Sequence, residues 1–198
     1  MIRSKKDLLY YLTADKIALG IKRFRPRRFG DEIWKYQILL RKVEYYVNCR
    51  KSLVYKPILL LHGLRLHFLS IRLGFSIPIN VCGPGLNIVH VGTIIISNKA
   101  KIGENCRIHA GVNIGENLGE PDEAPVIGNN VYIGPGSKIF GGIEVANNIA
   151  IGANSVVNKS FKEPGISIAG VPAKQINNVG SNGFIIKATE LLKRGTSK

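Results

Sequence analysis

The sequence predicts a mainly β fold, a left-handed parallel β-helix, with an α-helical N-terminal region and a short C-terminal helix. From Ile96 onward, β-branched residues recur every six positions, whereas the first 75 residues show the spacing of amphipathic helices. Those 75 residues also hold 17 basic and 5 acidic side chains, which is most of the net charge of +15. We therefore expect a basic helical region at 1–75, a β-helix at 76–175 and an extension at 176–198.

Two helices are predicted in the basic region. Residues 31–52 place Trp34, Ile38 and Tyr45 on one side of a helix. Residues 57–73 form a second, more apolar run that is expected to stop near Gly74. The arginine-rich segment RFRPRRFG at 23–30 cannot be the interior of a helix because it contains a proline.

The six-residue period indicates a short strand and a corner, repeated so that three repeats complete one turn of a three-sided prism. The aliphatic side chain of each repeat points inward, and a glycine after it eases the corner. Glycine follows five of these residues, at positions 103, 115, 128, 134 and 152. Isoleucine or valine occupies all ten periodic positions: Ile96, Ile102, Ile108, Ile114, Ile127, Ile133, Ile139, Val145, Ile151 and Val157.

One step of the repeat is irregular. Thirteen residues separate Ile114 from Ile127, one more than two repeats require, and the sequence between them is rich in proline and acidic residues. We interpret residues 120–126 as a loop that leaves the prism at one corner. After the prism, residues 183–194 show the pattern of a short amphipathic helix, which we expect to pack across an adjoining prism.

Composition excludes several classes of protein. Three cysteines without paired spacing argue against a disulfide framework or a zinc site and favour a cytoplasmic location. The first twenty residues lack the pattern of a secretory signal, and histidines and arginines interrupt the most apolar stretch. Nucleic-acid binding is not expected, because no recognition signature accompanies the basic residues. A solvated basic face, or peripheral contact with an anionic membrane, remains open.

Together, the repeats, the loop, IAGVPAK at 168–174 and GLNIVHVGTIIIS at 85–97 resemble the hexapeptide-repeat acyltransferases of the serine acetyltransferase branch, including relatives associated with surface polysaccharides. The resemblance covers about residues 75–175. It implies a homotrimer, with a hexamer as the alternative, and acetyl-CoA bound in a groove between neighbouring prisms. It also implies a histidine general base and no metal.

The residue that matches this base is His90, in the sequence IVHVG. The serine enzymes have aspartate before that histidine, where this chain has Val89, and an arginine–histidine pair where it has Glu123 and Ala124. Glutamate would repel a carboxylate rather than bind it. The sequence therefore favours a sugar hydroxyl as acceptor over L-serine, and a non-catalytic scaffold is the alternative of another class.

A second histidine, His109, occupies a position where neighbouring repeats have glycine. It lies nineteen residues after His90, so we expect both at the same edge on adjacent turns. His109 would orient His90, contact the acceptor or act as a second base. Counting strictly by six puts His90 in the inward phase, so the site requires either a slip of register within residues 88–96 or a position at the irregular start of the prism. His62 and His67 are interpreted as packing or surface residues.

By family match, Gly115, Pro135 and Ala153 are candidates for contact with CoA. Lys174 would meet a CoA phosphate or simply be solvated. In the loop, Glu120, Asp122 and Glu123 would hydrogen-bond sugar hydroxyls, with a solvated loop as the alternative.

Overall fold

The N-terminal region is helical. The computed structural model describes residues 1–117 and 123–195, and it places helices α1 (Lys5–Ala18), α2 (Glu32–Cys49) and α3 (Lys56–Leu73) before the sheets. Gly74 ends α3 in the left-handed conformation, at φ +77°. Both predicted helices are therefore confirmed. No helix in the described part of the chain is long and apolar enough to cross a membrane.

Short strands follow, and most have two or three residues. They are β1 (Phe75–Ser76), β2 (Asn87–Ile88), β3 (Ile94–Ile96), β4 (Lys101–Ile102), β5 (Arg107–Ile108), β6 (Asn113–Gly115), β7 (Val126–Ile127), β8 (Tyr132–Ile133), β9 (Lys138–Phe140), β10 (Glu144–Val145), β11 (Ala150–Ile151), β12 (Val156–Val157), β13 (Ser167–Gly170) and β14 (Ala173–Asn177).

These strands form three sheets, and from β2 to β12 successive strands visit them in rotation. Sheet A has the order β1-β3-β6-β9-β12, sheet B the order β4-β7-β10 and sheet C the order β2-β5-β8-β11-β13-β14. All the pairs are parallel except β13 with β14. The chain thus winds into a three-sided coil, the prism, which β14 closes as an antiparallel hairpin.

The interior of the prism is aliphatic. All ten periodic residues are at most 4% exposed. In sheet C, isoleucines from five strands lie in register on top of one another: Ile88, Ile108, Ile133, Ile151 and Ile168. Full burial of one such side chain stabilises the fold by about 1.5–3 kcal/mol, so the stack is a repeated contribution of similar size from each coil.

One corner of the prism is built from asparagines. Asn105, Asn130 and Asn148 all adopt positive φ, a conformation that asparagine tolerates better than most residues. The side-chain amide of Asn105 donates to Asn130 at 2.8 Å, and that of Asn130 donates to Asn148 at 3.0 Å. This ladder satisfies polar groups where the strands turn from sheet B to sheet C.

A buried cluster of charges joins the helices to the prism. Arg41 on α2 is fully buried and donates to Asp15 at 2.8 Å and to Glu44 at 3.1 Å. It also donates to the carbonyl of Gly83 at 2.7 Å, and Asp15 accepts from the N–H of Leu86 at 2.9 Å. The chain segment that leads into β2 is therefore fixed against α1 and α2.

The C-terminal helix, α4 (Ala188–Gly195), overlaps the predicted segment and ends one residue beyond it. Within the chain it packs on the prism and on α1. Ala188 lies in a buried cluster with Ala14 and Ala18. The N–H of Thr189 donates to Asn105 at 3.0 Å, which ties α4 to the asparagine corner.

Candidate active site

Both histidines lie in the turns that connect sheet C to sheet A. We call this edge of the prism the histidine corner, and it comprises residues 89–93, 109–112, 134–137 and 152–155. The strands on either side are in parallel register, so the four turns stack coil upon coil. Side chains from successive turns therefore meet along one edge.

His90 is exposed at this corner. The inward phase that strict counting by six assigned to it was wrong, because eight residues rather than six separate the inward-facing Ile88 and Ile96. The two extra residues push His90 and Val91 out of the coil, and Val91 is 55% exposed. No residue within 1–117 and 123–195 hydrogen-bonds the His90 imidazole, which leaves both ring nitrogens open to a substrate.

His109 lies on the next coil. Ile88 pairs with Ile108, so the two coils are offset by 20 residues, and His109 stacks at the level of Val89. The ring centroids of His90 and His109 are 6.0 Å apart. At the same position on the following coil, a Cβ on Gly134 would lie 2.7 Å from the carbonyl oxygen of Ile151. A side chain is thus accommodated at His109 but not one coil further on.

The environment of His109 favours its neutral form. Burial lowers the pKa of His109, and the positive charges of Arg107 and of protonated His90 lower it further. Its Nε2 is buried and has no hydrogen-bond partner among the described residues. A neutral imidazole has one donor and one acceptor nitrogen, and only a nitrogen that is not buried can hydrogen-bond a molecule bound beside it.

An aromatic column continues from His109, and the sequence did not predict it. The ring of Tyr132 lies 5.1 Å from His109, and that of Phe184 lies 5.2 Å from Tyr132. Arg107 sits over Tyr132 at 5.9 Å and donates to the carbonyl of Phe184 at 2.6 Å. If the repeats are aligned across the irregular step between Ile114 and Ile127, Arg107 falls opposite Tyr132 on the next coil. Phe184 lies outside the repeats, so their period does not predict its position.

Three of the four residues proposed for CoA contact lie along the same edge as the histidines. Pro135 and Ala153 occupy successive turns of the histidine corner. Lys174 is exposed on β14 and pairs with Ala169, which continues the same edge beyond β13. Gly115 ends β6 and lies instead at the corner between sheets A and B.

The acidic loop candidates are not at the histidine corner. Glu120 and Asp122 lie outside the described residues. Glu123 is exposed and lies against Gly142, at a groove of about 480 Å³ along sheet B that Lys99 and Lys101 also line. Within one chain, therefore, Glu123 and His90 are on different edges of the prism.

The other histidines lie on α3. His62 is half-buried beside Tyr46, with ring centroids 5.6 Å apart, and burial lowers its pKa. His67 is exposed. In residues 1–117 and 123–195 no group of three or more His, Cys, Asp or Glu side chains is placed to hold a metal ion.

No protein-family model matches the chain. The serine acetyltransferase of Synechococcus elongatus is 32% identical over 99 residues, which are 50% of this chain and 40% of that protein. The serine acetyltransferase of Staphylococcus epidermidis strain RP62A is 37% identical over 99 residues, 50% of this chain and 46% of that protein. The chain thus matches less than half the length of these curated relatives.

The solved structures are similar over more of the chain. Serine acetyltransferase from Brucella abortus strain S19, in complex with coenzyme A, is 26% identical with a TM-score of 0.66. That match covers 89% of this chain and 70% of the Brucella chain. The similarity therefore extends beyond the repeats into the helical region.

Proposed function

We propose that this chain, a homologue of the hexapeptide-repeat acyltransferases of the serine acetyltransferase branch, transfers an acetyl group from acetyl-CoA to a hydroxyl. The observation that carries the proposal is the position of His90, an exposed imidazole at a corner of a rigid coil, 6.0 Å from His109. The names of the relatives support the same chemistry. We also propose that the coil is left-handed. The chain would then divide into a helical region at 1–75, a β-helix at 76–175 and an extension at 176–198.

In this mechanism His90 accepts the proton of the acceptor hydroxyl. The oxygen attacks the thioester carbonyl, and the tetrahedral intermediate expels the CoA thiolate, which receives the proton from His90. A thiol pKa of about 8.5 makes the thiolate a good leaving group. A positioned general base contributes about 10²- to 10⁴-fold to the rate. Neutral His109 packs beside the His90 ring, which it would orient, and contacts the acceptor through the part of its own ring that is not buried.

The edge that carries the histidines also suits an extended donor. Four interstrand steps of about 4.8 Å separate the coil of His90 from the coil of Ala169 and Lys174, roughly 19 Å in all. A CoA molecule lying along this edge would present its thioester near His90 and a phosphate near Lys174, past Pro135 and Ala153. The lysine ammonium is a suitable partner for phosphate.

A homotrimer would bring the remaining candidates to the same place. Gly115 and Glu123 lie at or near the corner between sheets A and B, away from His90 in their own chain. If neighbouring prisms pack side by side, that corner of one chain faces the histidine corner of the next. The site would then be shared between subunits, with a hexamer as a further assembly of trimers.

L-serine is the first candidate acceptor, because the relatives are named serine acetyltransferases. They support it better than the sugar hydroxyl that the sequence favoured. A sugar hydroxyl is the second candidate, for two reasons specific to this chain. Glu123 replaces the arginine expected to bind a carboxylate, and the column of His109, Tyr132 and Phe184 offers the faces on which sugar rings stack.

The test is acceptor-dependent release of CoA from acetyl-CoA, measured with a thiol reagent. The acceptors are L-serine, a panel of nucleotide sugars and oligosaccharides, and water alone as the control. Release with L-serine would establish the first candidate, and release with a sugar alone the second. No release with any hydroxyl, together with no CoA binding by calorimetry, would contradict the proposal and favour a non-catalytic scaffold.

A further inference from the structure

The outward side of α3 is an apolar stripe. Of its eighteen residues only Leu73 is buried. With 3.6 residues per turn, the stripe residues fall within an arc of about 100° on the side away from α2 and the prism. Leu60 is 64% exposed, Leu64 47%, and Phe68 and Ile71 67% each. Pro57 and Leu61 complete the stripe, which is larger than the scattered apolar residues of an ordinary surface.

Cations flank this stripe. A groove of about 660 Å³ runs between α2 and α3, with Ile38, Leu39 and Leu69 among its apolar residues. Among the residues that the structure describes, the charged side chains that line it are all basic: Lys35, Lys42, Arg65 and Arg72. The sequence of α3 itself contains no aspartate or glutamate. We call the stripe and this groove together the α3 surface.

The arginine-rich segment continues the α3 surface, because Pro26, in the middle of that segment, also lines the groove. Phe24 is 84% exposed and Phe29 is 83% exposed. Arg25 lies over Phe24 and Arg28 over Phe29, at 5.9 and 6.0 Å. Alternating arginine and exposed phenylalanine suits the boundary between anionic headgroups and acyl chains.

The charges of this surface disfavour contact with the same surface of a second copy and favour an anionic partner. If two copies met through their α3 surfaces, Arg65 and Arg72 of one would approach the same residues of the other, and like charges at an interface repel. An anionic bilayer offers phosphates to the flanking cations and acyl chains to the stripe. The positive charge of residues 1–75, with 17 basic and 5 acidic side chains, adds longer-range attraction.

We propose that the α3 surface binds the surface of an anionic lipid bilayer, with α3 lying in the plane of the interface. The stripe enters the outer acyl region, and Lys35, Lys42, Arg65 and Arg72 contact phosphates. This association is peripheral and does not depend on the acyl-transfer proposal, since vesicle binding is measured without donor or acceptor.

The test is co-sedimentation of the full chain with vesicles. We expect binding to phosphatidylcholine vesicles that contain phosphatidylglycerol, weakening as salt is raised, and none to phosphatidylcholine alone. Phe68→Glu with Ile71→Glu should weaken binding by more than about tenfold, because two apolar side chains that would enter the acyl region become charged. Arg65→Gln with Arg72→Gln should weaken it roughly thirtyfold, at about fivefold per charge.

Matched controls distinguish effects that are specific to the α3 surface from effects of changing any exposed charge or apolar residue. Ile176→Glu changes an apolar residue that is 62% exposed on β14, and Lys159→Gln with Lys162→Gln removes two exposed charges from the segment after β12. Both should bind vesicles nearly as well as the parent chain. All variants are checked by thermal unfolding.

Two results would overturn the proposal. One is the absence of binding to phosphatidylglycerol vesicles. The other is vesicle binding that the α3 variants leave unchanged. If light scattering shows that those variants also change the oligomeric state, a second copy of the chain covers the stripe.

Discussion

The prism and the helical region differ in what fills their interiors. Each coil of the prism adds the same aliphatic contact, with Ile133 stacked between Ile108 and Ile151. The junction of the helices with the prism, beside apolar residues such as Tyr36 and Leu40, also encloses a cluster of charges around Arg41 and Asp15. The free energy of folding of the prism therefore comes from many similar contributions. At the helix–prism junction, by contrast, one cluster contributes a large share of it.

This difference has a consequence for the site. His90 lies at the first turn of the histidine corner, close in sequence to the segment that Arg41 and Asp15 hold. Damage to the charge cluster should release that segment, whereas damage to one coil should stay local. Replacements in the two regions can distinguish these behaviours.

The largest loss of stability is expected from Arg41→Met. It leaves Asp15 and Glu44 buried without their partner, and breaking a buried pair costs about 3–5 kcal/mol in the free energy of unfolding. Urea unfolding followed by circular dichroism measures it. Lys35→Met is the control, because the Lys35–Glu32 pair is near the surface and should contribute less than about 1 kcal/mol. A loss no greater than the control's would show that the cluster does not hold the helices.

Ile133→Ala tests the prism. Ile133 is fully buried, and the missing side chain should cost about 2–5 kcal/mol, against about 0.5–1.5 for Ile133→Val. The loss should appear in urea unfolding while hydrogen exchange in α1 and α2 is unchanged. Equal acceleration of exchange in the helices would contradict the view that the coils contribute independently.

Replacement of Asn130 tests the asparagine corner, and the expected loss of stability is smaller than for Arg41→Met or Ile133→Ala. Asn130→Gly keeps a residue that accepts φ of +57° but removes the hydrogen bonds to Asn105 and Asn148. Each such bond contributes about 1 kcal/mol, so a loss of about 1–2 kcal/mol is expected in thermal unfolding. Asn130→Ala adds the strain of a Cβ at positive φ and should be worse than glycine. If alanine equals glycine, backbone strain does not matter at this corner.

The smallest effect concerns the titration of His109. The pKa of His109 lies below 6.5 in the folded chain, so stability should fall as pH drops from about 6.5 through that lowered pKa. Arg107→Gln removes a positive neighbour, which should raise this pKa toward 6.5 without restoring it, because burial remains. The ring protons followed by NMR report the shift. His62, on α3, is the internal control and should titrate unchanged.

The sequence predicted the coil well because its signal is repeated. Ten inward positions at one period define the prism, and helix-ending Gly74 defines the junction. Strict counting by six put His90 in the inward phase, and the slip of register that the site required is a two-residue insertion whose position no repeat reveals. Asp15 and Arg41 were not predicted as partners, since their contact depends on how α1 and α2 pack.

The candidate site could be predicted only in part. His90 and His109 came from their place in the repeat and from the family resemblance. Tyr132 was hidden by the irregular step of the repeat. Phe184 reaches the aromatic column from the C-terminal extension, where no periodicity exists. Contacts made by packing between distant segments leave no local pattern in a sequence.

The most direct test of the account is the rate of acceptor-dependent CoA release by His90→Ala, compared with the parent chain and with His109→Gln. Because His90 is exposed and its ring accepts no hydrogen bond from the described residues, the urea midpoint should not change. The account predicts a loss of about 10²- to 10⁴-fold in kcat for His90→Ala, larger than for His109→Gln. A folded His90→Ala variant that releases CoA at the parent rate would contradict it.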